Sequence, residues 1–198
     1  KKGGCCAMPP KVRFTREAVT DAAFALVRAQ GQEALNARAI ARQLGCSTQP
    51  LYRTMPGMDA LRDAVMEKAR RYFEDYIQQR SQIMPTPYLS FGIAYLRFAR
   101  EEAHLFRFLF MRPRTDAEQA RPGADATFDY AAGLIARCLG ISLESARGFH
   151  GMSYVFVHGL ASMIVTGFMT YDESFLIQLL RQEYRALRLS LAEEQKGD

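Results

Sequence analysis

Apolar residues recur every three to four positions along most of the chain, and no segment alternates apolar and polar residues as a strand would. This periodicity predicts an all-α fold of nine helices. Short polar side chains that can accept a hydrogen bond from first-turn N–H groups predict the helix starts, at Thr15, Asn36, Ser47, Ser142 and Asp172. Glycine favours the position after a helix, which predicts ends at Gly31, Gly45 and Gly140.

The helices fall into two predicted domains. A flexible tail over residues 1–10 precedes three helices over 11–57, and about six helices follow over 58–198. The first of these six is long, from about Met58 to Arg80, and ends before Pro85 and Pro87. The remaining pattern predicts helices around Tyr88–Arg100, Ala103–Met111 and Asp125–Leu139, a polar loop over Arg114–Ala124, then a long uncharged helix and a final helix.

Charge and aromatic residues divide along the same line. Residues 1–60 hold nine Lys and Arg against four Asp and Glu, whereas 61–198 hold 17 of each sign. The whole net charge of +5 therefore lies in the first third, which indicates a polyanionic partner such as nucleic acid. Only three of the 22 aromatic residues lie there. Four cysteines without a CxxC motif fit a reducing cytoplasm rather than a disulfide framework.

One segment is apolar enough to suggest a membrane. Residues 148–171 contain no Asp, Glu, Lys or Arg, and 24 residues can cross a bilayer. The segment also carries His150, His158 and four glycines, and no second segment resembles it. A subunit interface explains such a helix better than a membrane does, so we expect no membrane partner.

The two short helices around Gly45 predict a helix-turn-helix, whose second helix enters the major groove of DNA by its N-terminal end. Short polar side chains at that end can contact base edges, and Tyr52 and Arg53, one turn further, suit phosphate contacts. Arg38, at the start of the preceding helix, can contact the DNA backbone or a guanine. The candidate DNA-binding residues are Arg38, Ser47, Thr48, Gln49, Pro50, Tyr52, Arg53 and Thr54.

This region resembles the DNA-binding domain of the TetR family of bacterial transcription regulators. The similarity covers about 50 residues, from FTREAVTDAAF through ALNARAIARQLG and LYR to the Pro-Gly turn before the long helix. A second segment, FVHGLASMIVTG, is similar to a helix of one subgroup of TetR ligand-binding domains. Met58 stands where the family usually has a lysine that touches phosphate, so the resemblance implies either weaker DNA binding or a shift of that contact to Arg53, Lys11 and Arg13. Cys46 replaces the small aliphatic residue that is usual in the family. It is either a packed turn residue or a redox switch.

The resemblance implies an all-helical body that binds a small molecule and dimerises through its last two helices. Two recognition helices would then lie about 34–36 Å apart on a near-palindromic operator. Small residues of the uncharged helix and the apolar stripe of the last helix would form a four-helix interface. The candidate interface residues are Gly151, Gly159, Gly167, Leu176, Leu180, Tyr184 and Leu187.

Aromatic residues in the body predict a cavity for a small hydrophobic or aromatic effector. His150, Tyr154 and His158 share one stripe of the uncharged helix, where they either orient a ligand or are satisfied interior groups. The two histidines lie about 12 Å apart along the helix, too far to chelate a metal. The candidate pocket residues are Phe91, Tyr95, Phe98, Phe110, Phe128, His150, Tyr154 and His158.

No P-loop, GxGxxG, HExxH or GxSxG motif occurs, so we expect neither enzymatic activity nor a cofactor or metal. The sequence predicts a cytoplasmic, homodimeric regulator, a repressor released from double-stranded operator DNA by its effector. One alternative is an all-helical binder or enzyme for a hydrophobic molecule, with the basic N-terminal region as a protein-docking module. Another is a nucleoid-type DNA binder without an effector, whose binding would depend on salt more than on sequence.

Overall fold

The predicted all-α fold is confirmed by a computed structural model of the chain, which describes residues 14–81, 86–113 and 126–197. These residues form nine α-helices and one short 3-10 helix (Gln32–Ala34), with no strand among them. The helices are α1 (Arg16–Gln30), α2 (Ala37–Gln43), α3 (Gln49–Thr54), α4 (Met58–Arg80), α5 (Pro87–Glu101), α6 (Ala103–Phe110), α7 (Ala126–Leu139), α8 (Leu143–Val165) and α9 (Glu173–Gly197).

Some predictions concern residues outside these ranges. The flexible tail over 1–10, the contacts assigned to Lys11 and Arg13, and the polar loop Arg114–Ala124 lie there, as do Pro85 and Asp125.

Four of the five predicted N-caps are confirmed. The side chains of Thr15, Asn36 and Ser142 accept hydrogen bonds from backbone N–H groups three residues ahead, at 3.1, 2.9 and 3.1 Å. Asp172 Oδ1 accepts one from the N–H of Phe175 at 3.1 Å. The prediction for Ser47 is wrong: Thr48 precedes α3, its backbone is already helical, and its side chain caps nothing. Pro50 supplies part of the reason, since it removes one first-turn N–H that a cap would satisfy.

The chain divides into two compact units, Lys1–Glu67 and Lys68–Asp198, which we call the N-terminal and C-terminal units. The division falls inside α4. In the N-terminal unit, α1 packs against α2 and α3. Its apolar core includes Val19, Ala23, Val27, Ile40 and Leu51, all at most 4% exposed.

In the C-terminal unit, α5 packs against α6, α7, α8 and α9. This central position explains why nearly every residue of α5 from Ser90 to Ala99 is buried. Aromatic rings fill the core: Phe73 of α4 meets Phe98 and Tyr95 edge to face, with centroids 4.9 and 5.7 Å apart. Two partly buried polar contacts tie the end of α5 to α4, because Tyr72 donates to Glu102 and Tyr76 donates to Glu101, each at 2.7 Å.

Most of the uncharged segment 148–171 lies in α8, which carries Glu144 and Arg147 in its first two turns and ends at Val165 rather than continuing to Tyr171. Among the described helices, it is the one whose length and apolar composition would allow it to cross a membrane. One face of α8 is buried against α5 and α7 and includes Phe149, His150 and Ser153. A buried face of this kind is typical of a core helix in a protein body.

Candidate nucleic-acid interface and ligand cavity

The turn between α2 and α3 is built on Gly45, whose φ of 64° lies in the left-handed region that side chains disfavour. The N–H of Cys46 reaches back to the carbonyl of Ala41 at 2.9 Å, which closes the end of α2. Cys46 is half-buried in this turn. The turn therefore fixes where α3 starts, and with it the position of the candidate recognition residues.

Helix α3 has a clear inner and outer face. Leu51 is 4% exposed and anchors the helix in the core of the N-terminal unit. Gln49, Tyr52 and Arg53 are exposed, and Tyr52 remains 58% accessible although it is a large aromatic residue. Ser47 is exposed before the helix, and Thr48 and Pro50 are half-buried at its start. These residues form what we call the α3 face, defined as Ser47, Thr48, Gln49, Pro50, Tyr52 and Arg53.

Arg38 is exposed in the first turn of α2, as its proposed role requires. Thr54 differs from the other candidates. Its hydroxyl lies 3.0 Å from the carbonyl oxygen of Pro50 and 3.3 Å from that of Phe14, to which it can donate. The contact with Phe14 ties the end of α3 to the segment just before α1, and the contact with Pro50 lies within α3. We therefore remove Thr54 from the candidate DNA contacts and assign it a structural role.

A cavity of about 500 Å³ lies among α5, α8 and α9 in the C-terminal unit. Four of the eight predicted pocket residues line it, namely Phe91, Tyr95, His150 and Tyr154. Four others do not line it. Phe98 is completely buried among the aromatic rings of α4. Phe110 packs on Phe73 and Phe106, and Phe128 packs on His150. The His158 ring stacks on Phe106 and Tyr154.

Both histidines of α8 have tyrosine partners on α5. The Tyr88 hydroxyl lies 3.0 Å from His150 Nδ1, and the Tyr95 hydroxyl lies 2.9 Å from His158 Nδ1. The interpretation of His158 as a satisfied interior group is therefore the better one. His150 is 3% exposed and lines the cavity, so it both forms part of the cavity wall and contacts the Tyr88 hydroxyl.

The charged residues of the cavity come from α9 and were not among the predicted pocket residues. Arg181, Glu183, Arg185 and Arg188 all line it. Burial raises the pKa of the Glu183 carboxyl, and a hydrogen bond from Ser153 acts in the opposite direction. Burial likewise raises the pKa of the Tyr88 phenol, which Ser153 also reaches. In the sequence, Arg181, Arg185 and Arg188 beside the leucine stripe were the available signal for a charged cavity wall. Periodicity alone does not show which helices α9 packs against, so this signal could not be placed.

Several predicted interface residues have other roles. Leu176 and Leu180 are 0% and 5% exposed, so the protomer itself already covers them. Tyr184 and Leu187 pack on a buried cluster of Ile135, Ala146 and Phe149. Gly167 follows the end of α8 with a φ of 75°, where it makes a turn and not a helix contact. The prediction is therefore wrong for Leu176 and Leu180, whereas Tyr184, Leu187 and Gly167 retain exposed surface, so their interface role stays a prediction.

A different set of apolar residues is exposed on α8. Met152, Val155, Phe156 and Met163 are between 38% and 71% exposed, and their spacing places them on one side of the helix. Gly159 lies on the same side, and no atom lies within 4 Å of where its Cβ would be. We call these five residues the α8 apolar face. Gly151 lies at its edge, and no atom lies within 4 Å of its Cβ position either.

Comparisons with known proteins agree with this architecture. The family model described as Tetracyclin repressor-like, C-terminal domain, matches residues 88–186. The HTH-type transcriptional repressor DrrR1 of Streptomyces coeruleorubidus is 36% identical over 66 residues. That match spans 33% of this chain and 24% of the repressor, so the chain covers about a quarter of this relative.

Solved structures share the fold at low sequence identity. A member of the TetR family from Streptomyces coelicolor A3 superposes with a TM-score of 0.60 at 17% identity, over 85% of this chain and 96% of that one. A protein with unknown function from Rhodococcus sp. RHA1 gives a TM-score of 0.71 at 17% identity, over 90% of this chain and 98% of that one.

Proposed function

Because this chain belongs to the TetR family of transcription regulators, we propose that it is a cytoplasmic, dimeric repressor that a small effector releases from operator DNA. The observation that carries the proposal is the α3 face, which exposes Gln49, Tyr52 and Arg53 while Leu51 anchors the helix in the core. Polar side chains presented by a short helix after a glycine turn can reach base edges in the major groove.

The charge of the N-terminal region supports DNA as the partner. Its excess of basic residues raises the local concentration of a polyanion and speeds association. Arg38 and Arg53 are exposed on α2 and α3 and would hold phosphates, while Gln49 and the flanking Ser47 and Thr48 would contact bases. The relative DrrR1 is named as a transcriptional repressor, which supports the direction of regulation.

The α8 apolar face supports the proposed dimerisation. Clustered exposed apolar side chains rarely persist on a monomer in water, and Gly159 at the centre lets a second helix approach closely. A second copy of the chain is therefore the proposed cover of this face, in place of lipid. We propose the α8 apolar face as the main seam, in place of the leucine stripe of α9.

Helix α4 could transmit the effect of a bound ligand from the C-terminal unit to the N-terminal unit. It is continuous from Met58 to Arg80 and belongs to both units. Its C-terminal half is tied to α5 through Tyr72, Phe73 and Tyr76, and α5 lines the cavity. An effector that binds one arrangement of α5 more tightly would shift α4, and with it the affinity for DNA.

The test is an electrophoretic shift of the full chain on the DNA upstream of its own gene, with shuffled DNA of equal length and composition as the control. We expect a preference of at least about a thousandfold for the upstream DNA at fixed salt. Equal affinity for both would favour a nucleoid-type binder. Absence of DNA binding by the folded dimer would favour the alternative of a ligand-binding protein or enzyme with a docking region.

A further inference from the structure

The cavity of the C-terminal unit combines three chemical environments in one space. Arg181, Arg185 and Arg188 lie on one side of α9 and line the cavity, and all three are exposed to solvent at the cavity rim. None of them forms an ion pair with another residue in the described part of the chain. Three guanidinium groups against the single carboxyl of Glu183 leave the lining with an excess of positive charge, which favours an anion.

The walls of the cavity are aromatic. Phe91 and Tyr95 contribute from α5, Tyr154 from α8 and Tyr184 from α9. Rings that present both faces and edges suit a flat, apolar or aromatic body, because edge-to-face and offset contacts add to the burial of apolar area. The volume of about 500 Å³ is in the range of sites that enclose a small organic molecule.

Glu183 adds a polar group to this apolar space. One of its carboxyl oxygens, Oε1, is buried and lacks a hydrogen-bond partner among the described residues, although the side chain lines the cavity. A buried oxygen without a partner is costly unless a ligand satisfies it. Because Oε1 is itself inaccessible, a ligand hydroxyl or amide N–H would donate to it after a small rotation of the Glu183 carboxyl towards the cavity.

We propose that this cavity binds an amphipathic organic anion with an aromatic body, an acidic group that pairs with the arginines, and a hydroxyl that donates to Glu183. The inference rests on the proposed function in that the cavity is taken as the effector site. It goes further by naming the chemical class of the effector.

Other ligand classes fit these contacts less well. An organic cation would meet one carboxyl and three guanidinium groups. A plain hydrocarbon would leave both the arginines and Oε1 of Glu183 without a partner. A metal is disfavoured because no group of three or more His, Cys, Asp or Glu side chains could hold one within the described ranges.

The experiment compares compounds that differ in one group. Calorimetric titration of the purified 198-residue chain would use hydroxybiphenyl carboxylate, its uncharged primary amide and its cationic aminomethyl analogue. We expect the carboxylate to bind about 30-fold more tightly than the amide, and the aminomethyl compound to bind most weakly. Equal affinities, preference for the cation, or no binding of any of the three would overturn the proposal.

Variants assign the contacts. Arg185→Gln should weaken binding of the carboxylate about threefold, and replacing all three rim arginines about 30-fold, with little change for the amide. Arg137→Gln removes the same charge from an exposed residue of α7 that does not line the cavity, and should leave both affinities unchanged. Equal effects of the Arg185 and Arg137 variants would contradict the proposed ion pairs.

The hydroxyl contact has its own comparison. Biphenyl carboxylate without the hydroxyl should bind about fivefold more weakly than the hydroxylated acid, and Glu183→Ala should abolish that difference. A difference that persisted in Glu183→Ala would place the hydroxyl elsewhere.

The exposed thiol of Cys138 lines the cavity and reports where the compound binds. Bound carboxylate should slow alkylation of Cys138, followed by peptide mass spectrometry, and leave Cys46 unaffected. Unchanged alkylation of Cys138 would mean that the compound binds outside the cavity. A carboxylate that protects Cys138 but leaves DNA affinity unchanged would refute the coupling in the proposed function, while the ligand class would stand.

Discussion

The proposed function assigns the side chains of the α3 face two roles, contact with bases and contact with phosphate. Arg53 is exposed one turn after Gln49, at a position suited to the backbone of DNA. Gln49 begins the helix, where its amide can pair with a base edge. The two residues therefore have different expected effects on sequence preference and on salt dependence.

Arg53→Gln should weaken binding to every DNA sequence by a similar factor. The slope of log affinity against log salt should fall by about 1 per protomer, because one phosphate contact is lost. Fluorescence anisotropy at several salt concentrations measures both quantities. Arg137→Gln is the matched control in the C-terminal unit. A loss confined to one DNA sequence would show instead that Arg53 contacts a base.

Local interactions were predictable from the sequence at the residue scale. Thr15, Asn36 and Ser142 cap helices because the capping bond lies within four residues of chain. Ser47 was misassigned as the N-cap because α3 begins one residue later, after Thr48, and Pro50 in the first turn has no N–H to be capped. The α3 face followed from the turn and the helix that it starts. The roles of Glu183 and of the three cavity arginines could not be predicted in this way, because the cavity exists only where α5, α8 and α9 meet.

At the scale of elements, the inward direction of the α9 stripe distinguishes core from interface. Leu176 is completely buried in the protomer, whereas Leu189 on the same helix is 67% exposed. Periodicity predicts that a helix has an apolar side, but it does not predict whether its own chain or a second copy covers that side. This explains why the sequence placed Leu176 and Leu180 in the dimer interface.

Leu176→Ala should lower the free energy of unfolding by about 2–5 kcal/mol, because it leaves a cavity in a packed core. Leu189→Ala should change it by no more than about 0.5 kcal/mol in the monomeric state. Denaturant unfolding at equal protomer concentrations compares the two. Similar losses for both variants would contradict the assignment of Leu176 to the core.

An ion pair joins α5 to the start of α9. Arg97 Nε donates to Glu173 at 2.8 Å, and the Tyr171 hydroxyl donates to the same carboxylate at 2.8 Å. The hydrogen bond from Arg97 lowers the pKa of Glu173 from 4.5 to about 2. Since the folded pKa is depressed, the carboxylate stabilises the fold above pH 4.5, and that contribution is lost as the pH falls through about 2.

Glu173→Gln should therefore lower the melting temperature by about 2 °C near pH 7, a small effect because the pair is partly exposed. The difference from the unmodified protein should shrink as the pH falls from 4.5 towards 2. Glu144→Gln removes an acidic residue from the first turn of α8, where no described residue pairs with it. If that control lost as much stability as Glu173→Gln, the helix dipole and not Arg97 would account for the effect.

At the scale of the whole molecule, the α8 apolar face should determine the oligomeric state. Met163 lies on this face, and Met111 lies after α6; each is 41% exposed. Met163→Arg should convert the dimer to a monomer, because it places a charge in an apolar seam, whereas Met111→Arg should not. Analytical ultracentrifugation at micromolar concentration separates the two states. Dimers in both variants, or monomers in both, would contradict this seam.

Sequence-specific contact between the α3 face and DNA is central to the proposed function. The most direct measurement compares Gln49→Ala with Gln79→Ala, an exposed glutamine on α4 in the C-terminal unit. Affinity for the operator and for shuffled DNA is measured at matched salt. We expect Gln49→Ala to lose about tenfold in preference for the operator with unchanged affinity for shuffled DNA, and Gln79→Ala to match the unmodified protein. An unchanged preference in Gln49→Ala would contradict the account.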